Sequence, residues 1–402
     1  MALIKITKLK YIVVHSGSRD QYKLAESLYK HGKLGFLVTD DILFRKEYKN
    51  LFPHEYIKIS PMGLFFRCIL QVFKSWEWLH PIKDHFLGRT AGKLSKKHSM
   101  QLMALSEYAY HAYQYSDVRP RVVFQFHPHA YSNKEIFLEE AERHPETASN
   151  LRLEKECFVS DKKLKESWDE IKMTDYFIVA SSFTKHTLVE NGAQEDKIFI
   201  APYGIDTTKY PYKKREVPKT VNFVFVGSYT ERKGIYYLLT AASRLEKEGY
   251  KFNLNMTGRA KFNPEMIAKY GLKNIKVHHD LSYGELIDLL HFSDVFVFPS
   301  LCEGFAFVII EAMSTGLPII STTRTAGRDI VREGIDGFTI SPSSVDELYE
   351  KMKFFIENPD QCPTMGNNAA TMSKSITWEN FEKKVIEATE AIENQYKNIK
   401  PC

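Results

Sequence analysis

The sequence predicts an α/β protein made of two parallel-sheet domains, and three observations carry the prediction. Short runs of β-branched and aromatic residues, apolar throughout as strands buried on both faces are, recur along the chain and are followed by helical patterns. At 402 residues the chain is long for one hydrophobic core, so two or three domains are expected. A stretch rich in Pro and Lys, residues 210–220, interrupts the alternation near the middle.

In chain order, residues 11–14 (YIVV) form a strand, His15-Ser16-Gly17-Ser18-Arg19 a polar turn, 24–28 the start of a helix ending at Gly32, and 34–38 a second strand. This βαβ start is Rossmann-like, with Ser-Gly-Ser in place of a full glycine-rich fingerprint. Residues 64–79 (LFFRCILQVFKSWEWL), bracketed by Pro61 and Pro81, place Arg67, Gln71 and Lys74 at helical spacing and leave a wide aromatic face. The preferred reading is a core helix covering the first sheet, which needs such a face. The other is an interfacial helix, because residues 58–97 hold eight Lys or Arg against Glu77 and Asp84. That second reading makes an anionic membrane a candidate peripheral partner.

Residues 121–126 (RVVFQF) form a strand ending at His127-Pro128-His129, with a helix over about 134–143. The C-terminal end of a parallel strand faces the ligand crevice, which favours a functional role for one histidine. A metal would need a third ligand that the neighbouring sequence does not offer. Residues 175–180 are a strand, 183–192 a helix capped by Ser181-Ser182, and 197–201 a strand running into Pro202-Tyr203-Gly204-Ile205-Asp206.

After the linker, 221–226 (VNFVFV) leads into Gly227-Ser228-Tyr229-Thr230-Glu231-Arg232-Lys233-Gly234 and a helix over 235–248. A strand meeting a basic loop and a helix start is a phosphate site by geometry. Strands follow at 252–257 and 275–278, the latter running into His279-Asp280-Leu281, then a helix at 285–291. Residues 294–321 then read strand, loop, helix, turn, strand. Val295 to Phe298 are apolar, a helix starts near Ala306, and Gly316 and Pro318 end it. Between Gly304 and Thr323 the single charge is Glu311. A buried ionised carboxylate costs several kcal/mol without a partner, so Glu311 calls for a donor to receive. With Glu303 in the preceding loop, two carboxylates flank a helix N-terminus, an arrangement suited to sugar hydroxyls and a diphosphate. Arg324 and Arg328 add positive charge nearby. A turn at 334–338 and helices at 345–357 and 378–396 complete the chain.

A net charge of +5 is too weak to argue for nucleic acid. The cysteines Cys68, Cys157, Cys302, Cys362 and Cys402 form no CxxC pair, which favours a reducing compartment over disulfides or zinc. Residues 1–10 carry three lysines without a following signal-type apolar core, and no run is long enough to span a bilayer. The expectation is a cytoplasmic protein, soluble or peripheral to a membrane.

Residues 298–311 (FPSLCEGFAFVIIE), followed by AMSTGLP, resemble the donor-site signature of family-four retaining glycosyltransferases, glycosyl transferases group 1. The resemblance implies the GT-B fold: a Rossmann-like acceptor domain (1–210), a Rossmann-like nucleotide-sugar domain (211–377), and a C-terminal helix (378–402) packing back on the first. It implies a metal-independent enzyme moving sugar from a nucleoside-diphosphate sugar, UDP-linked first and GDP-linked next, to an acceptor hydroxyl in polysaccharide, glycolipid or glycoconjugate synthesis. No cofactor is implied, and the partners are the donor and a carbohydrate or lipid-linked acceptor. Glu303 would meet the transferred sugar, Glu311 the ribose, and the amides of Ala306, Phe307 and Val308, in the loop with Gly304 and Phe305, the diphosphate. Lys233 matches the family cation, while Ser228 stands where an arginine is usual, leaving Arg232 to compensate. Gly17 would line the cleft, and the backbone near Leu281 would meet the base. His127 is the better match to the family's strand-end histidine, with His129 the alternative, as Arg324 is for phosphate. Ala306 replaces a usual glycine. A non-catalytic nucleotide-sugar-binding protein and a sugar-nucleotide epimerase of the same fold are the alternatives.

Overall fold

The computed structural model describes residues 9–17, 20–41, 51–151, 154, 159–258 and 267–399. Ser18, Arg19, Cys157, Cys402 and most of the lysine-bearing start of the chain lie outside those residues.

Two all-parallel sheets are present. The first, with order β3-β2-β1-β4-β5-β6-β7, uses Tyr11–Val14 (β1), Leu34–Thr39 (β2), Ile57–Ile59 (β3), Gln101–Leu105 (β4), Val122–Gln125 (β5), Tyr176–Val179 (β6) and Ile198–Ile200 (β7). The second, with order β10-β9-β8-β11-β12-β13, uses Val221–Val226 (β8), Phe252–Gly258 (β9), Ile275–His279 (β10), Val295–Phe298 (β11), Ile319–Thr322 (β12) and Gly337–Ile340 (β13). In each, the first strand of the domain lies between one reached by going outward and one reached by crossing back. That reversal is the topological switch point, where α/β sheets bind ligands beyond the strand ends. β1, β4, β6 and β11 are buried along their whole length, which is why their sequences carry no polar alternation.

Chain crossings and a returning helix join the domains. Ile205 bridges Thr377, and its amide donates to the Ile376 carbonyl at 3.2 Å, so the outgoing and returning segments run side by side. Helix Trp378–Ile399 then docks on the first domain: Lys30 meets Glu382 at 2.9 Å, and the buried Lys33 meets Glu393.

One expectation is overturned. Residues 64–79 are not a single core helix. The helix is Pro61–Val72, with the Ser60 side chain accepting from the Gly63 amide, and among its residues only Gly63 is buried. Phe73 leaves helical geometry and stacks on Trp76, with ring centres 4.5 Å apart. The inner layer is instead helix His80–His98, which buries Leu87, Gly88, Ala91, Gly92 and Ser95.

Candidate functional site

The switch points of both sheets face one cleft of about 1010 Å3. Its wall in the second domain is built from three strand ends. Beyond β8, the chain turns through Gly227 and Ser228 into a tight turn at Glu231–Lys233, closed by Gly234 at φ 74°. Glycine is needed there, since a Cβ would lie 2.0 Å from the Pro299 carbonyl oxygen. Beyond β10 come Asp280, Leu281, Ser282 and Tyr283, and beyond β11 the loop to helix Phe307–Thr315.

Glu303 is the centre of charge. Among the described residues, its Oε1 accepts from Arg232 Nη1 at 2.6 Å, from Ser300 Oγ at 3.0 Å and from Lys233 Nζ. None of these donors meets Oε2. Burial would raise this carboxyl, but Lys233 and Arg232 outweigh it and hold it down at about 2, so it is an anion at every working pH. Arg232 Nε is also 3.0 Å from Glu154, a residue of the first domain. Lys233 Nζ stands 5.1 Å from the centre of the Phe298 ring.

Glu311 lies in the second turn of helix Phe307–Thr315, on the cleft side. Burial raises its pKa, and the hydrogen bond from Tyr210 offsets this only in part. Ala306 caps the helix at φ 69°, ψ 78°, a left-handed conformation that glycine adopts without the Cβ penalty. The amides of Phe307 and Val308 open the helix, where no intrahelical acceptor exists, and the helix dipole adds positive potential.

The first domain contributes the wall opposite, with Phe126, His127, Pro128 and Asn133. His127 follows the end of β5, and its carbonyl accepts from Gln125 Nε2 at 2.8 Å. His129 caps the next helix, is buried near Trp168, and has a ring pushed down to about 4 by that burial, so it stays neutral. Of the two, His127 is the one in the cleft. The domains meet closely beside it. Ser181 Oγ donates to the Gly304 carbonyl at 2.7 Å, and a Cβ on Gly304 would stand 1.8 Å from the Phe126 carbonyl oxygen.

Thus Ser228, Arg232, Lys233, Leu281, Glu303, Gly304, Phe305, Ala306, Phe307, Val308, Glu311 and His127 share one cleft. Gly17, His129 and Arg324 do not line it, although the Arg324 carbonyl holds the Glu303 amide at 2.9 Å. Sequence reasoning missed Asn150 and Glu154. Asn150 grips the Tyr229 carbonyl (3.3 Å) and the Glu231 amide (2.9 Å), which positions the phosphate-type loop from the other domain. No local pattern marks either residue, since their partners lie about 80 positions away. Tyr203, Tyr210 and Tyr283, also in the cleft, were equally unmarked. Among the described residues, no group of three or more His, Cys, Asp or Glu side chains is placed to hold a metal.

Two facing Rossmann-like domains, a cleft at both switch points and a returning C-terminal helix define the GT-B glycosyltransferase fold. The UDP complex of HepE from Anabaena superposes with a TM-score of 0.65 over 96% of this chain and 100% of that one, at 15% identity. Residues 206–372 match the family described as glycosyl transferases group 1. An uncharacterized glycosyltransferase of Methanocaldococcus jannaschii is 26% identical over 51% of this chain and 56% of its own length. CapM of Staphylococcus aureus, a capsular polysaccharide biosynthesis glycosyltransferase, is 26% identical over 52% of this chain and 60% of its own. The chain thus spans a little over half the length of these curated relatives.

Proposed function

We propose that this protein is a retaining glycosyltransferase that moves a sugar from a nucleoside-diphosphate sugar to an acceptor hydroxyl in glycan synthesis, with UDP the favoured nucleotide and GDP the next. The observation that carries this reading is the one-sided pairing of Glu303. Its Oε1 is taken up by Arg232, Lys233 and Ser300, while these donors leave Oε2 for sugar hydroxyls. The same cations stand beside an open helix N-terminus, where a diphosphate fits.

In this reading the acceptor oxygen bonds to the anomeric carbon on the face from which the diphosphate departs. The carbon–phosphate oxygen bond breaks, and the acceptor proton passes to the leaving diphosphate. Lys233, Arg232 and the helix amides stabilise the charge that develops on the leaving group, so most of the catalysis is electrostatic. Arg232 takes the place of the arginine usual at Ser228, and the reading includes no metal. Glu311 receives the ribose hydroxyls, which replace the weak compensation that Tyr210 gives it. His127 faces the transferred sugar from the acceptor side.

A thermal-shift panel of UDP, GDP and ADP, each with magnesium or with chelator, followed by the matching nucleotide sugars, tests this. A rise with one diphosphate that is equal in chelator supports a metal-independent donor site. No rise with any of them removes the donor reading.

A further inference from the structure

Two glutamates of the first domain reach across to the second, and they land in different places. Glu140, on helix Ala130–Arg143, accepts from the Tyr237 hydroxyl and from Ser343 Oγ at 2.8 Å. None of those three residues lines the donor cleft, so that contact ties the domains together without touching the site. Glu154 ends on the phosphate-type loop itself. Its amide donates to the Leu151 carbonyl at 2.9 Å, which turns the chain just after helix Ala148–Leu151. Its buried carboxylate then accepts from Thr230 Oγ1 through Oε1 and from Arg232 Nε through Oε2, the latter at 3.0 Å.

Charge decides what this second contact does. Lys233 and Arg232 bring two positive charges to the loop, and Glu303 and Glu154 bring two negative ones. With Glu154 in place these four groups sum to zero. Without it they carry one net positive charge, which is what a diphosphate needs to find beside the helix N-terminus. Arg232 lines the cleft, and its guanidinium is held by a carboxylate on each side, one from each domain. Glu303 belongs to the same wall as Arg232 and keeps its place whatever the first domain does. Glu154 is the partner that an arriving phosphate can replace, because a guanidinium binds phosphate and carboxylate oxygens with the same planar fork.

We propose that Glu154 is an internal competitor of the donor diphosphate: it occupies Arg232 in the free protein and gives it up when a diphosphate binds. The identity of the diphosphate as part of a nucleotide sugar rests on the transferase reading, whereas the exchange of one anion for another does not. The exchange lowers donor affinity by the free energy needed to part Glu154 from Arg232. By linkage, a bound diphosphate weakens the hold of Glu154 on the loop to the same degree. Since Glu154 belongs to the first domain, donor entry loosens the domains at this edge of the cleft and leaves the Glu140 tie in place.

The test is calorimetric titration of the purified full chain with UDP, GDP, ADP and inorganic pyrophosphate, at low and high salt. Glu154→Gln keeps an acceptor for Thr230 and removes the charge. It should bind the diphosphate about fivefold or more tighter than the unsubstituted chain, with a gain that shrinks at high salt, while its melting temperature without ligand falls. A merely structural residue would weaken binding and stability together. Adding Glu154→Gln to Arg232→Gln should change affinity little, because the competition runs through Arg232. Glu140→Gln, which loosens the domains elsewhere, should leave affinity near that of the unsubstituted chain. Should Glu154→Gln not fold, Glu154→Asp draws the carboxylate back from Arg232 and should shift affinity in the same direction. Unchanged or weaker binding by the Glu154 variants overturns the proposal, as does an equal gain from Glu140→Gln or in the Arg232→Gln background. Pyrophosphate binding that tightens in Glu154→Gln while every nucleotide is ignored removes the nucleotide-sugar reading and keeps the exchange. Nucleotide binding that fails to tighten does the reverse, and no binding of any of these anions to either protein removes both.

Discussion

Glu303 and Glu311 lie on either side of one helix start, both shielded from water, and their environments push them in opposite directions. Glu303 is met by Arg232, Lys233 and Ser300, and its carboxyl is held at about 2. Burial holds the Glu311 pKa above the ordinary value, and the Tyr210 hydroxyl offsets this only in part. The first carboxylate has one oxygen fully paired before any ligand arrives and acts as a fixed anchor for two cations. The second is under-satisfied and gains most when a ligand donates to it. One chemical group thus serves two purposes, set by what surrounds it.

The largest expected effect breaks the anchored side. Lys233→Ala should lower turnover roughly a hundredfold or more, because it removes charge from the leaving group, while donor KM changes much less. Steady-state kinetics with the donor identified by thermal shift would show this, and unchanged turnover would take Lys233 out of that role.

A second experiment separates the carboxylates by the sign of their effect on stability. Glu303→Gln leaves two cations short of a partner and should destabilise the free protein by roughly 1–3 kcal/mol. Glu311→Gln removes a charge the site barely compensates and should raise stability by about 1 kcal/mol, while weakening nucleotide binding. Melting across pH sharpens the contrast. Glu303 titrates below its ordinary 4.5, so its contribution is complete above that value and is lost as pH falls toward about 2. Glu311 titrates above 4.5, so its contribution is present below that value and is lost as pH rises through the elevated one. Parallel pH profiles for the two variants would contradict the division.

The smallest effect concerns the cap between them. Ala306 sits at positive φ, so Ala306→Gly should relieve strain and stabilise by about 1 kcal/mol or less, part of the gain being offset by glycine's unfolded-state entropy. A fall in melting temperature would mean that the Ala306 methyl group packs more usefully than its backbone is strained.

The second domain was legible because its chemistry is local. The strand at 295–298, the glutamate in the loop, the lone carboxylate in an apolar helix and the Arg-Lys-Gly turn each occupy a few neighbouring positions. The first domain was legible only in outline. Helix His80–His98 escaped because Gly88 and Gly92 press against helix Ala109–Tyr113, so small residues stand where large apolar ones would signal a buried face. Residues 61–72 misled for the opposite reason: large apolar side chains, which normally mark a core, face outward. Asn150 and Glu154 act only across the domain boundary, through contacts that local spacing cannot encode.

Helix Trp378–Ile399 has a consequence for the order in which the molecule can be completed. Lys33 is buried, and its carboxylate partner Glu393 lies 360 positions later in the chain. Synthesis runs from the amino end, so the half made first waits for a segment made much later, whereas the donor half has all its described strands once residue 340 has emerged. The earlier domain is the later one to be finished.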